Sequence, residues 1–249
     1  MKKYKYLLCI LSFLTLLSLS LLNRYETLNA FNNNYVLEPS SSEIKNEEEV
    51  SVPKENEVEK LQKEYNNEDV KGTLEILNTD YKVPVVQGSD NNYYLRRLPN
   101  KEYNIMGSIF LDYRVNINTS KKLLIYGHND KRIEMPFKIL ENYYDKSYLD
   151  DHKYVVITSK DRVRTYEIFS VFVEPTDYSY MKVNFEDSSY LEHLNMLKNK
   201  SMFNLDTYLN NDTNILLLQT CSTHKDYLKY KKKYLILVFK EISNKGIDE

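Results

Sequence analysis

The sequence contains few of the residues that mark several common protein classes. Its 249 residues include only 5 Gly and 6 Pro, which excludes collagen-like and glycine-rich phosphate-loop architectures. Two cysteines, Cys9 and Cys221, exclude a disulfide scaffold and a cysteine-based zinc site. The net charge of -2 shows neither the basic excess of nucleic-acid binding nor the acidic excess of a fully disordered chain. Hydrophobic residues make up 42% and 23 residues are Tyr, so a globular core is feasible and β-structure is weakly favoured.

The N-terminus combines basic residues with a long apolar segment. Lys2, Lys3 and Lys5 precede the uncharged run Tyr6–Leu22. As a helix this run would be about 26 Å long, close to the roughly 30 Å hydrocarbon core of a membrane. A removed signal peptide would need a small-residue cleavage site, which is missing after Leu22. We therefore predict a retained single-pass anchor over residues 1–24, with its N-terminus inside and the rest of the chain outside the cell.

The chain after the anchor is predicted to form a linker and one folded domain. Between Asn23 and Val70 there are twelve acidic and five basic residues, a local net charge of -7, and few apolar residues. This composition predicts a flexible acidic linker over residues 25–60. The domain is predicted to span residues 61–249 and to open with a helix, because Val58, Leu61 and Tyr65 fall at helical spacing.

The domain reads as mainly β. Two segments, Met135–Tyr144 and Ser188–Lys200, have helical spacing of their apolar residues. Short apolar runs separated by turn residues predict eight strands, and therefore a sandwich or a barrel with a few peripheral helices. The predicted strands are Thr73–Leu77, Val83–Gln87, Ser108–Leu111, Lys122–Tyr126, Tyr154–Thr158, Thr165–Val173, Asn214–Thr220 and Tyr234–Ile242.

Cys221 and His128 are the main candidates for chemistry. Cys221 follows the apolar strand Asn214–Thr220, where it is either an inert core thiol or a nucleophile that needs a basic or cationic partner. His128 follows a strand that breaks at Gly127, and a loop held by a rigid strand is a common place for a catalytic group. His128 is therefore the preferred partner of Cys221.

The other candidate groups are weaker. His152 and His193 lie in polar surroundings and are predicted to be solvated surface groups, and His224 would need a turn to reach Cys221. Lys231, Lys232 and Lys233 lead into the last strand, where one of them could face a developing oxyanion or simply solubilise the strand. No metal-binding cluster and no distinctive pair of carboxylates stands out, so no cofactor is predicted.

An ordered set of motifs resembles the sortases, membrane-anchored transpeptidases of Gram-positive bacteria. The segment Leu217-Leu-Gln-Thr-Cys221 is similar to the signature Thr-Leu-x-Thr-Cys, with Leu217 in place of the first Thr, and it follows His128 in the order typical of that family. The resemblance extends from about residue 61 to residue 242 and is closest to class B. The segments that carry it are Pro84–Leu95, Gly107–Tyr113, Tyr126–Asn129, Met135–Phe137, Ile168–Val171 and Thr176–Met181.

The resemblance implies an eight-stranded β-barrel and a cysteine transpeptidase. It implies that Cys221 attacks the Thr carbonyl of a sorting signal similar to Asn-Pro-x-Thr-(Asn/Gly), forming a thioacyl enzyme that a peptidoglycan amine resolves. His128 would act as acid and base. The implied partners are surface proteins with a C-terminal sorting signal, a peptidoglycan precursor and the membrane, with no nucleic acid. The residues implied to bind substrate are Thr176, Tyr180, Met181, Gln219 and Ser222.

One departure from the family pattern concerns the residue that assists the cysteine. Sortases carry an arginine early in the strand after the cysteine, whereas this chain has no arginine after Arg164. Lys233, or Tyr234 in a register shifted by one, takes that place, and Lys233 is the predicted third catalytic residue. A lysine lacks the planar two-pronged geometry of an arginine. A catalytically impaired protein that only binds sorting signals therefore remains an alternative, as do an unrelated cysteine peptidase and a purely structural surface protein.

Overall fold

The computed structural model describes residues 56–247 together with Ser18. The predicted anchor and linker lie outside the described residues, apart from Ser18 and residues 56–60. Within the described residues, no helix is both long and apolar enough to cross a membrane.

Eight strands form one closed barrel, which confirms the predicted fold class. Around the barrel the strand order is β1-β2-β3-β4-β7-β8-β6-β5. Parallel pairing occurs between β2 and β3 and between β4 and β7, and the other neighbours are antiparallel. The strands are β1 Val70–Ile76, β2 Lys82–Val86, β3 Phe110–Leu111, β4 Lys122–Tyr126, β5 Tyr154–Ser159, β6 Arg162–Glu174, β7 Ile215–Cys221 and β8 Tyr234–Gly246.

Short helices connect and cover the strands. Helix α1 begins at Glu57 because the side chain of Asn56 accepts a hydrogen bond from the backbone N–H of Val58 at 2.9 Å, and it buries Val58 and Leu61. The described helices are α1 Glu57–Glu64, α2 Lys146–Asp151 and α3 Asp187–Asn199, with 3-10 turns at Tyr93–Arg96, Lys138–Tyr144, Ser179–Met181 and Lys225–Tyr227.

The predicted helix over Met135–Tyr144 is wrong in its type and its start. The structure has a 3-10 helix over Lys138–Tyr144. Pro136 has no backbone N–H to donate, and the N–H of Phe137 bonds to the carbonyl of His128 at 2.9 Å. These first residues are therefore bound to the loop after β4, and only the later ones turn into a helix.

The strands separate two hydrophobic cores. Alternate residues of a strand point to opposite faces. In β4, Leu123 and Ile125 pack inside the barrel, whereas Leu124 and Tyr126 pack outside it against a layer that includes Leu194 of α3. Because both faces are buried, β4 and β7 appear in the sequence as continuous apolar runs.

A buried ion pair joins β6 to β8. Arg164 is 2% exposed, and its guanidinium contacts the carboxylate of Glu241 and donates to the carbonyl of Ile117 at 2.9 Å. Removing one partner of a buried pair leaves the other charge without compensation.

We expect Arg164→Leu to lower the free energy of unfolding by about 3–5 kcal/mol, because Glu241 would stay buried without its partner. Arg162→Leu is the matched control, since Arg162 is exposed on the same strand and should cost less than about 0.5 kcal/mol. Urea unfolding followed by circular dichroism measures both. Equal losses in the two variants would contradict a stabilising role for the buried pair.

Candidate active site

A cleft of about 400 Å³ opens on the outer face of the barrel, where β4, β7 and β8 meet. Its walls come from these strand ends and from two loops, before and after the short strand pairs. The cleft is lined by Asn91, Asn92, Leu95, Phe110, Tyr126, Gly127, His128, Met181, Gln219, Thr220, Cys221 and Tyr234.

The structure brings Cys221 and His128 into this one cleft. In the parallel ladder, Tyr126 of β4 pairs with Gln219 of β7, so His128 and Cys221 stand at matching positions two residues further on. Neighbouring strands lie about 4.8 Å apart. The amide of Asn129 donates to the carbonyl of Cys221 at 2.9 Å and fixes this register beyond the end of the ladder.

Gly127 allows the strand to reach the site. A Cβ at this position would lie 2.5 Å from Ile109 and 2.6 Å from Phe137, both side chains of the barrel core. The carbonyl of Gly127 also accepts a hydrogen bond from the hydroxyl of Thr220 at 2.8 Å. The absence of a side chain therefore places His128 directly beside the end of β7.

One nitrogen of His128 is already engaged. Its Nε2 lies 2.7 Å from the carbonyl oxygen of Leu95, and because a carbonyl can only accept, Nε2 carries a proton. In the neutral ring Nδ1 is then the basic nitrogen. Nδ1 can take a proton from a thiol or an amine and return it later.

Cys221 is a free cysteine that is exposed at the cleft. Partial burial raises the pKa of its thiol, the positive charge of Lys233 lowers this pKa, and the negative charge of Asp130 raises it. Burial has the largest effect, so the thiol of the resting protein is mainly neutral. It therefore requires a base such as His128 to act as a nucleophile.

Met181 belongs to a wall of the cleft that is anchored from below. Its carbonyl accepts a hydrogen bond from Arg114 at 3.1 Å, and the buried ammonium of Lys122 donates to the carbonyls of Tyr180 and Lys182, the latter at 2.7 Å. The hydroxyl of Tyr180 donates to the side chain of Gln219 at 2.9 Å. Tyr180 thus lies beneath the cleft and holds Gln219, whereas Met181 and Gln219 line it.

The prediction that His193 is a solvated surface group is wrong. His193 is 7% exposed, and its Nε2 lies 2.9 Å from the ammonium of Lys122. Burial and that neighbouring charge lower the pKa of His193 to about 3. The neutral imidazole accepts from Lys122 and so belongs to the support of the cleft wall.

The residues after Cys221 are held by the 3-10 helix Lys138–Tyr144. Ser222 is 4% exposed, and its hydroxyl lies 2.7 Å from that of Tyr144. The backbone N–H of Thr223 donates to Glu141 at 2.7 Å. Ser222 therefore positions the chain after the cysteine and does not line the cleft.

Two further predicted residues lie away from the cleft lining. Thr176 is exposed, and its backbone N–H bonds to Glu174 at 3.0 Å. The ammonium of Lys233 lies 3.3 Å from the carbonyl of Tyr230. Tyr234, the alternative to Lys233, does line the cleft.

Several lining residues had no role in the sequence-based prediction. Asn92 and Leu95 belong to a segment that carries the family resemblance, and Asn129 directly follows His128, so proximity to known motifs was the available signal. Across residues 56–247, no three His, Cys, Asp or Glu side chains cluster in a way that could hold a metal ion.

Comparison with known proteins identifies the family. A model of the Sortase domain matches residues 74–239. Sortase B of Listeria monocytogenes is 36% identical over 165 residues, which cover 66% of this chain and 67% of that protein. The structure of a Staphylococcus aureus sortase B–substrate complex is 30% identical with a TM-score of 0.66, covering 75% of this chain and 84% of that chain. A structure of sortase B complexed with triglycine is 28% identical with a TM-score of 0.66, covering 76% and 85%. The chain therefore belongs to the sortase family, and within it to the class B cysteine transpeptidases.

Proposed function

We propose that this enzyme cleaves a sorting signal similar to Asn-Pro-x-Thr-(Asn/Gly) after the Thr and joins the new carboxyl end to a peptidoglycan amine. The observation that carries the proposal is the placement of Cys221 beside His128 in one cleft. The related structures with a substrate and with triglycine support a peptide donor and an amine acceptor.

The first half of the reaction forms a thioester. As the sulfur of Cys221 attacks the Thr carbonyl carbon, Nδ1 of His128 takes the thiol proton and the carbonyl electrons move to oxygen. The tetrahedral intermediate then collapses and the peptide C–N bond breaks. His128 gives its proton to the leaving amine, which departs with the C-terminal part of the signal.

The second half repeats these steps with a new amine. The incoming amine attacks the thioester carbonyl, and His128 takes a proton from the attacking nitrogen. When the C–S bond breaks, the proton returns to the sulfur of Cys221. The enzyme is regenerated and the surface protein carries a new amide bond.

The location of the reaction follows from the N-terminal sequence. We propose that residues 1–24 anchor the chain in the cell membrane and that the catalytic domain lies outside. The lysines before the apolar run favour this orientation. A protease added to intact cells should then digest the domain.

The direct test uses the purified full-length chain and quenched peptides with Asn-Pro-x-Thr signals. With an added oligoglycine amine, mass spectrometry should show the N-terminal fragment ligated to that amine. Hydrolysis without ligation would contradict the transpeptidase assignment. Peptide binding without any turnover would favour the alternative, a sortase fold that only binds sorting signals.

The thiol of Cys221 should respond to two neighbouring charges in opposite directions. We expect alkylation by iodoacetamide to accelerate with pH, with a midpoint above that of an ordinary cysteine, because burial raises this pKa. Lys233→Met should move the midpoint to higher pH and Asp130→Asn to lower pH. Equal midpoints in all three proteins would contradict this account of the thiol.

A further inference from the structure

Tyr234 stands directly opposite the proposed nucleophile. In the antiparallel ladder of β7 and β8, Cys221 pairs with Tyr234. Side chains of directly opposed residues share one face of the sheet, with Cβ atoms about 4.5–5.5 Å apart. Both residues line the same cleft. We propose that the phenolic O–H of Tyr234 donates a hydrogen bond to the oxyanion that forms when Cys221 attacks the substrate carbonyl.

The other donors in the cleft are largely engaged. The hydroxyl of Tyr126 and the amide of Asn91 both donate to Asp112, at 2.7 and 3.0 Å, and the hydroxyl of Thr220 donates to a backbone carbonyl. Among the described residues, the hydroxyl of Tyr234 has no hydrogen-bond partner. It is therefore available to a ligand.

Two side-chain amides are less suitably placed. The Nε2 group of Gln219 is free to donate, but Gln219 precedes Cys221 by two residues, about 7 Å along the strand. Asn92 belongs to a loop, whereas the strands paired with β7 are β4 and β8. Tyr234 is the cleft donor that the sheet itself holds across from the sulfur.

The strand geometry disfavours Lys233 for this role. Leu235 and Leu237 pack inside the barrel, whereas Ile236 packs on its outer side, and Tyr234 shares the outward alternation. Lys233 falls on the inward alternation, and its carbonyl accepts from the backbone N–H of Ser222 at 3.0 Å. Its charge influences Cys221 without its ammonium lining the cleft.

The phenol is suited to donate without losing its proton. Burial and the proximity of Cys221 and Tyr178 raise the pKa of Tyr234, so the group stays neutral while the thiol ionises. The ring of Tyr178 packs edge-on against that of Tyr234 with centroids 5.9 Å apart and orients it. In the reaction, Tyr234 keeps its proton and only its hydrogen bond strengthens as charge develops on the substrate oxygen.

Tyr234→Phe tests the proposal, because it removes the hydroxyl and retains the ring that packs on Tyr178. We expect kcat for peptide cleavage to fall about 10²-fold at every pH, with KM nearly unchanged, as for the loss of one oxyanion donor. The rate of Cys221 alkylation should stay within about twofold, because alkylation forms no oxyanion. Tyr208→Phe, an exposed tyrosine outside the cleft lining, is the matched control.

This inference rests on the proposed function, and the two fail differently. Wild-type kcat in Tyr234→Phe would overturn the role of Tyr234 alone. A loss that is equal in cleavage and alkylation would also overturn it, since Tyr234 would then act on the thiol. A loss that disappears at high pH would have the same meaning. Absence of turnover in the unmodified chain would contradict both the role and the proposed function.

Discussion

Replacing Cys221 with alanine is expected to reduce peptide cleavage and ligation to the background of the assay. The sulfur is the atom that forms the covalent bond to the Thr carbonyl, and none of the other cleft-lining side chains is a thiol. His128 cannot form the thioester alone, so the reaction loses its first step. The measurement is the initial rate with a quenched sorting-signal peptide, with and without an added amine.

The variant should remain folded and should still bind peptide. Cys221 is exposed at the end of β7, so its truncation leaves no cavity in the barrel core. Thermal unfolding and fluorescence anisotropy of a labelled peptide serve as controls. A Cys221→Ala enzyme that keeps a rate within about tenfold of the unmodified chain would show that the thiol is not the nucleophile.

His128→Asn is expected to have the second largest effect, a loss of about 10²–10⁴ in kcat, which is the usual contribution of a positioned acid and base. The Asn amide can still donate toward the carbonyl of Leu95, but it cannot carry a proton between the thiol and the amine. The kcat should be measured across pH, where the variant is expected to lose the limb that reports the histidine.

The matched control is His152→Asn. His152 packs on the ring of Tyr148 at 3.9 Å, outside the lining of the cleft, and its replacement should leave kcat within about twofold. If both histidine variants lost the same activity, a general effect on folding would explain the result. Unchanged kcat in His128→Asn would contradict its role as acid and base.

The fold was largely predictable because the strands are bounded by clear turns and their apolar runs are long. The predicted strand Lys122–Tyr126 has the observed bounds, since each of its residues is buried on one face of the sheet or the other. The closing of the barrel was not readable from these runs alone and entered through the family resemblance. The helix over Met135–Tyr144 was mistaken because the tertiary bond from Phe137 to His128 replaces its first turn.

The support beneath the site could not be predicted, because it depends on contacts between distant segments. Lys122 reads as a charged residue at the start of a strand, and His193 as a polar residue on a helix. The fold buries both and joins them across 71 positions, beneath the loop that carries Met181. A local pattern has no means of showing that a surface-type residue will be enclosed.

The choice between Lys233 and Tyr234 also needed the structure. The sequence placed both residues near the end of the strand, and charge favoured the lysine. The pairing of Cys221 with Tyr234 decides which side chain shares a face with the sulfur. A register difference of one residue reverses the face of a strand, so this question is settled only when the strands are paired.

The central claim is that Cys221 forms a covalent thioacyl intermediate with the sorting signal. Intact-mass spectrometry of the full-length chain, quenched in acid during turnover without an amine, tests it most directly. We predict an adduct equal to the peptide up to and including the Thr, located at Cys221 and lost when an amine is added. An adduct that persists in Cys221→Ala, or peptide turnover that never produces an adduct, would contradict it.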